Sequence, residues 1–359
     1  MEKKKTVCVI PGDDALPEAV WPSVELLESM ELPIDFLWRL SGKQTQQKYG
    51  KGFPDELRKL IDQTDATLFG SSGVERISTN VLQYLRWWKE TYANVRPVRW
   101  WPGTRSPLRN PEGIDYIIVR ENMEDVNGGV EADLSLLKEV ALPKGHRTGK
   151  PLNLDRPGRF GTKIVTVEGT KRVARFTAGL GLRRQKRGRG GKVTIAVSGV
   201  TASQCDALFR DVATEVIKGY PTLELEYLKT DNFAHQQVVN PQRFDVVLIQ
   251  NNAGDLLSDS GAGTVGGLGL APSGCYGDSF AYFEPIHGSA PDIAGKHIIN
   301  PTSVLLSASM MLGYLGLPEA EERLEKAIAA VYREGKHLTP DQGGRATTTE
   351  FCHAVKAKL

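Results

Sequence analysis

The sequence predicts an α/β protein built on a largely parallel sheet. A short apolar run at 6–10 stops at Pro11-Gly12-Asp13-Asp14 and gives way to helical spacing over 16–30. A strand, a turn and a helix in that order open such folds. Short apolar runs then recur at 66–68, 115–119, 193–197 and 245–249. Amphipathic stretches such as 171–180 and 207–217 lie between them, and this alternation argues for parallel strands.

In chain order, the run at 66–68 enters Phe69-Gly70-Ser71-Ser72-Gly73, a second strand-to-glycine transition. The strand at 115–119 ends at Arg120-Glu121-Asn122. Residues 132–165 are rich in Pro, Gly and charge with little periodicity, which fits an excursion from the core, a flexible loop or an oligomer arm. The basic run Arg183-Arg184-Gln185-Lys186-Arg187-Gly188-Arg189 reads better as a solvated helix end and turn than as a phosphate or nucleic-acid patch, because the helix dipole favours cations there. Residues 301–315 and 318–333 read as helices. No GxGxxG follows the first strand. Gly266-Gly267-Leu268-Gly269 does not join a strand to a helix as that motif requires.

With 359 residues the chain is long enough for one or two large domains and a sizeable core. Its 45 Lys and Arg against 43 Asp and Glu give a net charge of +2, too weak a field to predict nucleic acid or a membrane surface as partner. A content of 40% hydrophobic and 25% charged residues argues against disorder. No apolar run approaches the ~20 residues of a membrane span. The basic opening Met1-Glu2-Lys3-Lys4-Lys5 is followed by too short an apolar stretch for a signal peptide. Cys8, Cys205, Cys275 and Cys352 are widely spaced, so neither a disulfide framework nor a zinc site is expected, and a cytoplasmic location is the default.

Three features can carry chemistry. In Gly254-Asp255-Leu256-Leu257-Ser258-Asp259 the carboxylates of Asp255 and Asp259 are i and i+4, one turn apart on one helix face. A hard divalent cation, Mg²⁺ or Mn²⁺, would relieve their repulsion. An acidic first helix turn explains the spacing equally well. Asp231, after a strand, is a third candidate carboxylate. The loop 284–295 (EPIHGSAPDIAG) is shaped by Pro and Gly, and His287 with free backbone amides suits a nucleotide; a tight connector is the plainer reading. Arg86, Arg96 and Arg120 suit two-pronged binding of carboxylates, although each alone is more often a surface ion pair. Trp87, Trp88, Trp100 and Trp101 are most simply core or interface aromatics.

Taken together the motifs resemble the β-decarboxylating dehydrogenases, the isocitrate/isopropylmalate dehydrogenase family. The matching segments are Ile10-Pro11-Gly12-Asp13, Tyr92 through Arg99 (YANVRPVR), Val119 through Asp125 (VRENMED), Asp231-Asn232, the stretch from Arg243 to Asp259, residues 265–273, the 284–295 loop and Asn300-Pro301-Thr302. They span nearly the whole chain, and the 92–131 block is most like the isocitrate branch. The resemblance implies two α/β domains flanking a central cleft: residues 1–98 plus 248–359 as the larger, 99–247 as the smaller, with a dimerising arm at about 132–165. It implies a homodimer, or a hetero-oligomer with a paralogue, whose site is shared between subunits. Arg86, Arg96, Arg120 and Asn80 fall at substrate positions. Asp255 and Asp259, with Asp231 from the other subunit, fall at metal positions. Glu284, His287, Gly288, Ser289, Ala290, Asp292, Ile293 and Asn300 fall at cofactor positions. An acidic residue at Asp292 followed by Ile293 goes with NAD, since a carboxylate bonds ribose hydroxyls and repels a 2′-phosphate.

The chain departs from the family at proton transfer. Ser198, in Val197-Ser198-Gly199-Val200, stands where a Lys is expected, and Asn127 where a Tyr is expected. Neither titrates near neutral pH. The opening Gly-Asp-Gly has become Gly12-Asp13-Asp14. The expectation is an NAD- and Mg²⁺- or Mn²⁺-dependent oxidoreductase on a malate- or isocitrate-like 2-hydroxy acid, with altered proton handling. A catalytically silent regulatory subunit, or a non-redox lyase reusing the metal site, are the alternatives.

Overall fold

A computed structural model describes residues 4–73, 80–145, 147–200 and 202–359. Met1 to Lys3 of the basic opening and His146 of the irregular segment lie outside the described residues. In chain order the elements are β1 (Lys5–Ile10), α1 (Leu16–Glu28), β2 (Ile34–Trp38), α2 (Lys43–Tyr49), α3 (Asp55–Gln63) and β3 (Ala66–Phe69). The short α4 (Val81–Gln83) runs into a π-helical turn at Tyr84–Trp88, followed by β4 (Ala93–Arg99), β5 (Asp115–Glu121), β6 (Glu131–Asp133) and β7 (Arg159–Gly161). Then come α5 (Val167–Lys186), β8 (Lys192–Val197), α6 (Ser203–Lys218), β9 (Glu224–Lys229), α7 (Thr230–Val239), β10 (Val246–Ile249) and α8 (Asn251–Val265). The chain closes with β11 (Pro272–Tyr276), β12 (Ala281–Pro285), α9 (Thr302–Tyr314), α10 (Pro318–Glu334) and α11 (Thr348–Lys356).

All strands but β6 and β7 join one ten-stranded sheet in the order β2-β1-β3-β12-β11-β4-β5-β10-β8-β9. Both outer runs are parallel, as expected. Antiparallel pairing is confined to the centre, β12-β11-β4-β5. β1, β3 and β10 are buried throughout or nearly so, which is why they read as continuous apolar runs rather than as alternation.

Strand alternation assigns the two faces of the sheet centre. Val98 and Ile118 pack with Phe233 and Val265, against α7 and α8. Val95 and Ile117 pack with Val173 and Phe209, against α5 and α6. A separate cluster joins the two ends of the chain, from Val7 and Leu27 to Leu312, Ile328 and Phe351. The expected domain boundaries, 98/99 and 247/248, fall inside β4 and β10. The two-domain division is a proposal that the separate clusters support.

The irregular segment holds a two-stranded antiparallel ribbon, β6 with β7, mostly exposed. The basic run does end α5, yet its solvated reading holds only in part. The Arg184 guanidinium is inside, bonded to Asp245 and to Asp115 at 3.1 Å, and Arg189 also bonds Asp115. Among the described residues no helix is long and apolar enough to cross a membrane, and the four cysteines are free.

Candidate active site

The C-terminal ends of β5, β10, β8 and β9 lie side by side, the usual place for ligands in open α/β sheets. Arg120 sits near the end of β5, and α8 starts right after β10. Gly254 lets α8 settle on β5: a Cβ there would lie 2.9 Å from both the Arg120 Cγ and the Ile249 Cγ2. Asp255 and Asp259 occupy one face of α8, as their spacing predicted.

Arg96 lies inside β4, and alternation turns it toward α8. Its Nη1 donates to Ser258 Oγ at 2.7 Å and lies 3.0 Å from Asp255 Oδ1 and 3.4 Å from Asp259 Oδ1. Arg120 Nη1 bonds the same Asp255 carboxylate. Arg120 Nε and Nη2 donate to Asn251 Oδ1 at 2.9 and 2.7 Å. Arg86 reaches the cluster from the π-helical turn, its Nη2 3.9 Å from Glu284 Oε1. All three arginines are buried, and Arg86 Nε has no partner among the described residues. These are not surface ion pairs.

Concentrated positive charge is visible in the electrostatics. Burial, and then the neighbouring Arg96 and Arg86, pull the Arg120 guanidinium down to about 10. Burial pushes the Asp259 carboxyl up despite Arg96. The Asp255 and Asp259 side chains remain 44% and 47% exposed. Partly exposed carboxylates are the hard oxygen donors that divalent cations take, although here both are paired with guanidinium groups.

The other expected residues fall into separate places. Asp231 is exposed in the first turn of α7, at the end of β9, and among the described residues no three acidic, His or Cys side chains gather as a metal site. Asn80 caps α4, its Oδ1 accepting the Gln83 N–H at 2.8 Å. Asn127 lies in a 3-10 turn, Val126–Gly128, with a buried Oδ1 that has no partner among the described residues. Ser198 follows the end of β8.

Glu284 is not in the cofactor loop proper. It is buried in β12 beside Arg86, and burial raises its carboxyl against the pull of Arg86, Arg96 and Arg120. The loop itself is fixed by the opposite turn: Ser289 Oγ donates to Asp14 Oδ2 at 2.6 Å, and Ala15 N–H donates to the Ser289 carbonyl at 3.0 Å. Lys43 Nζ bonds Asp14 at 2.8 Å. His287 Nε2 meets Ser303 Oγ at 2.8 Å and Nδ1 meets the Gly288 carbonyl at 2.9 Å; a proton on Nδ1 satisfies both. Burial lowers the basicity of this imidazole. Gly288 faces open space, Ala290 adopts φ +51°, and Asp292 and Ile293 form an exposed to half-buried 3-10 turn. Asn300 is buried and bonds Asp341 at 2.9 Å and Tyr332 at 3.2 Å.

Sequence reasoning missed Asn251 and Ser258, which orient Arg120 and Arg96, and the Asp14–Lys43 pair. Asn251 carried one signal, its place directly after a buried strand.

The comparisons with known proteins give the family. A family model described as isocitrate/isopropylmalate dehydrogenase matches residues 6–355. The chain is 39% identical to the 3-isopropylmalate/3-methylmalate dehydrogenase of Methanocaldococcus jannaschii, covering 98% of each. It is 38% identical to the isocitrate/homoisocitrate dehydrogenase of Thermus thermophilus, again covering 98% of each. The crystal structure of isocitrate dehydrogenase from Methylococcus capsulatus superimposes with a TM-score of 0.86 at 29% identity, covering 99% of both chains. A match that runs almost end to end, on a fold that brings the arginines and Asp255 together, leaves one placement: the chain belongs to the isocitrate/isopropylmalate dehydrogenase family.

Proposed function

We propose that the chain is an NAD- and divalent-metal-dependent oxidoreductase acting on a malate- or isocitrate-like 2-hydroxy acid. The observation that carries this reading is the convergence of three buried guanidinium groups with Asp255 and Asp259. Arg86 Nε is buried with no partner among the described residues, and a substrate with two or three carboxylates would supply one to it. The relatives' names span isopropylmalate, methylmalate, isocitrate and homoisocitrate, all 2-hydroxy acids with more than one carboxylate.

In this reading Arg86, Arg96 and Arg120 grip substrate carboxylates in two-pronged fashion. Asn251 and Ser258 keep Arg120 and Arg96 aimed. Asp255 and Asp259, joined by Asp231 of a second subunit, hold Mg²⁺ or Mn²⁺. The loop that follows β12, through residue 295, would hold NAD, and Asp292 would bond the ribose hydroxyls. Bound there, the metal supplies Lewis acidity to a substrate oxygen, and NAD supplies the hydride acceptor. The oxidised product is then open to loss of its β-carboxylate as CO₂.

The test is a panel of malate-type 2-hydroxy acids with NAD or NADP and Mn²⁺, read by reduced nicotinamide and by released CO₂. Asp255→Ala should lower kcat/KM on the active substrate by roughly 10²-fold or more; intact activity would sink the metal assignment. The silent-subunit reading draws on Ser198 and Asn127. It predicts no turnover by the homomer and activity only on mixing with a paralogue. The retained arginine–carboxylate cluster weighs against it.

A further inference from the structure

Removing a hydride from a secondary alcohol leaves a hydroxyl proton that some group must accept. Asn127 and Ser198 cannot. At the C-terminal ends of β5, β8 and β10 five titrating side chains crowd together, and four are carboxylates tied to backbone amides. Glu121 accepts the Met123 and Glu124 N–H groups at 2.8 and 2.9 Å. Glu124 accepts the Thr166 N–H at 2.8 Å. Asp125 accepts from Val126 at 2.9 Å and Asn252 at 3.0 Å, and Asp206 accepts the Gly199 N–H at 2.9 Å.

The fifth is an amine. Lys163 Nζ lies 2.8 Å from Asp206 Oδ1, 3.0 Å from Gln250 Oε1 and 3.8 Å from Asp125 Oδ1. Cys205 Sγ lies 3.9 Å from the Lys163 carbonyl. The Lys163 side chain is 20% exposed, so it is packed but accessible.

Its address is telling. The other oxygen of Asp206 holds Gly199, so the amine is one carboxylate away from the 198–200 segment that lacks a Lys. Gln250 directly precedes Asn251, the residue that orients Arg120, and its buried Nε2 has no partner among the described residues. The geometry points to Lys163 as the proton-transfer group of this site, an amine delivered by the loop between β7 and α5 to a place left without one after β8.

This rests on the oxidoreductase reading above. In the oxidation direction Lys163 must first release its ammonium proton to solvent, which its 20% exposure allows; the substrate O–H bond then breaks and an N–H bond forms at the neutral Nζ. The C2 hydride leaves with its electron pair to the nicotinamide of NAD, and the C2–O bond becomes C=O. Reduction returns the same proton from the ammonium.

A purely structural role is the competing explanation, since Asp206 is fully buried and needs a cation. Lys163→Arg separates the two. The guanidinium still neutralises Asp206 but does not exchange its proton at working pH. We expect Lys163→Arg to bind the Mn²⁺–substrate pair within about twofold of the parent by calorimetry, to lose roughly 10²- to 10⁴-fold in kcat, and to lose the pH-dependent limb of kcat. In Lys163→Ala, added methylamine should restore turnover saturably. A kcat for Lys163→Arg near the parent value overturns the assignment alone. If Lys163→Arg fails to fold, amine rescue of Lys163→Ala decides: recovery supports it and no recovery overturns it. A parent chain that oxidises nothing in the panel overturns this inference and the function it rests on together.

Discussion

Asp14 shows how one side chain can bind distant loops. It holds φ +52°, a conformation that favours glycine, and it stands where the family shows Gly. Burial pushes its carboxyl up, but Lys43 and Ser289 outweigh that and hold it below the usual range. The negative charge is therefore kept, and it clasps the loop proposed to carry NAD. Asp14→Gly should relieve the backbone and release the loop: KM for NAD rises several-fold while kcat stays within about twofold. Steady-state kinetics with NAD as the varied substrate checks this, and an unchanged KM removes the clasp. At this scale the sequence was partly legible. Asp255 and Asp259 could be paired because i and i+4 fixes their geometry whatever surrounds them. Lys163 could not, because its partners Asp206 and Gln250 are 43 and 87 residues away.

Helix α10 carries a pH-sensitive contact. Glu321 and Glu325 lie one turn apart on the wall of a cleft of about 1140 Å³, on the sheet face opposite α8, with Arg183 and Arg187 of the α5 end across it. Gly313 of α9 makes room for the Glu321 carboxyl, and Arg187 stays 4.0 Å away. Burial, and then Glu325, push Glu321 up to about 7 from 4.5. A carboxyl whose pKa is raised by folding favours the folded state while protonated. The cost of ionising it grows as pH climbs from about 4.5 to about 7 and is constant above that. Glu321→Gln should match the parent in Tm near pH 4.5 and exceed it by a few degrees at pH 8. Calorimetry at the two values checks it, and equal offsets at both would refute it. Elements themselves were readable where burial wrote an apolar run, as in β10, β8 and β5. The rest of the antiparallel centre was not. Pro97 in β4 and Pro272 and Gly274 in β11 disguise those strands, which are held by neighbours on both sides rather than by their own propensity.

For the whole molecule the decisive question is whether one chain builds a complete site. Asp255 sits on α8 over the sheet centre, whereas Asp231 follows β9, the edge strand of the same sheet, and points into solvent. The ribbon β6–β7 is mostly exposed and pairs with no strand of the large sheet. An arm with few contacts to its own chain and a stranded carboxylate are what a twofold dimer would use, each subunit lending Asp231 to the other. A net charge of +2 opposes such pairing only weakly. Complementation tests this without needing a monomer to fold. Asp231→Asn and Asp255→Asn chains should each be inactive alone. When the two are unfolded together and refolded, half the dimers are mixed. In each mixed dimer one of the two sites receives both intact carboxylates and the other receives neither. Recovery should therefore approach about a quarter of the parent activity, and it should vanish when the mixture is assembled from preformed homodimers that do not exchange. If both carboxylates act within a single chain, mixing restores nothing. Size-exclusion with light scattering must show the same dimer for both variants, so that lost activity reports the site and not the assembly.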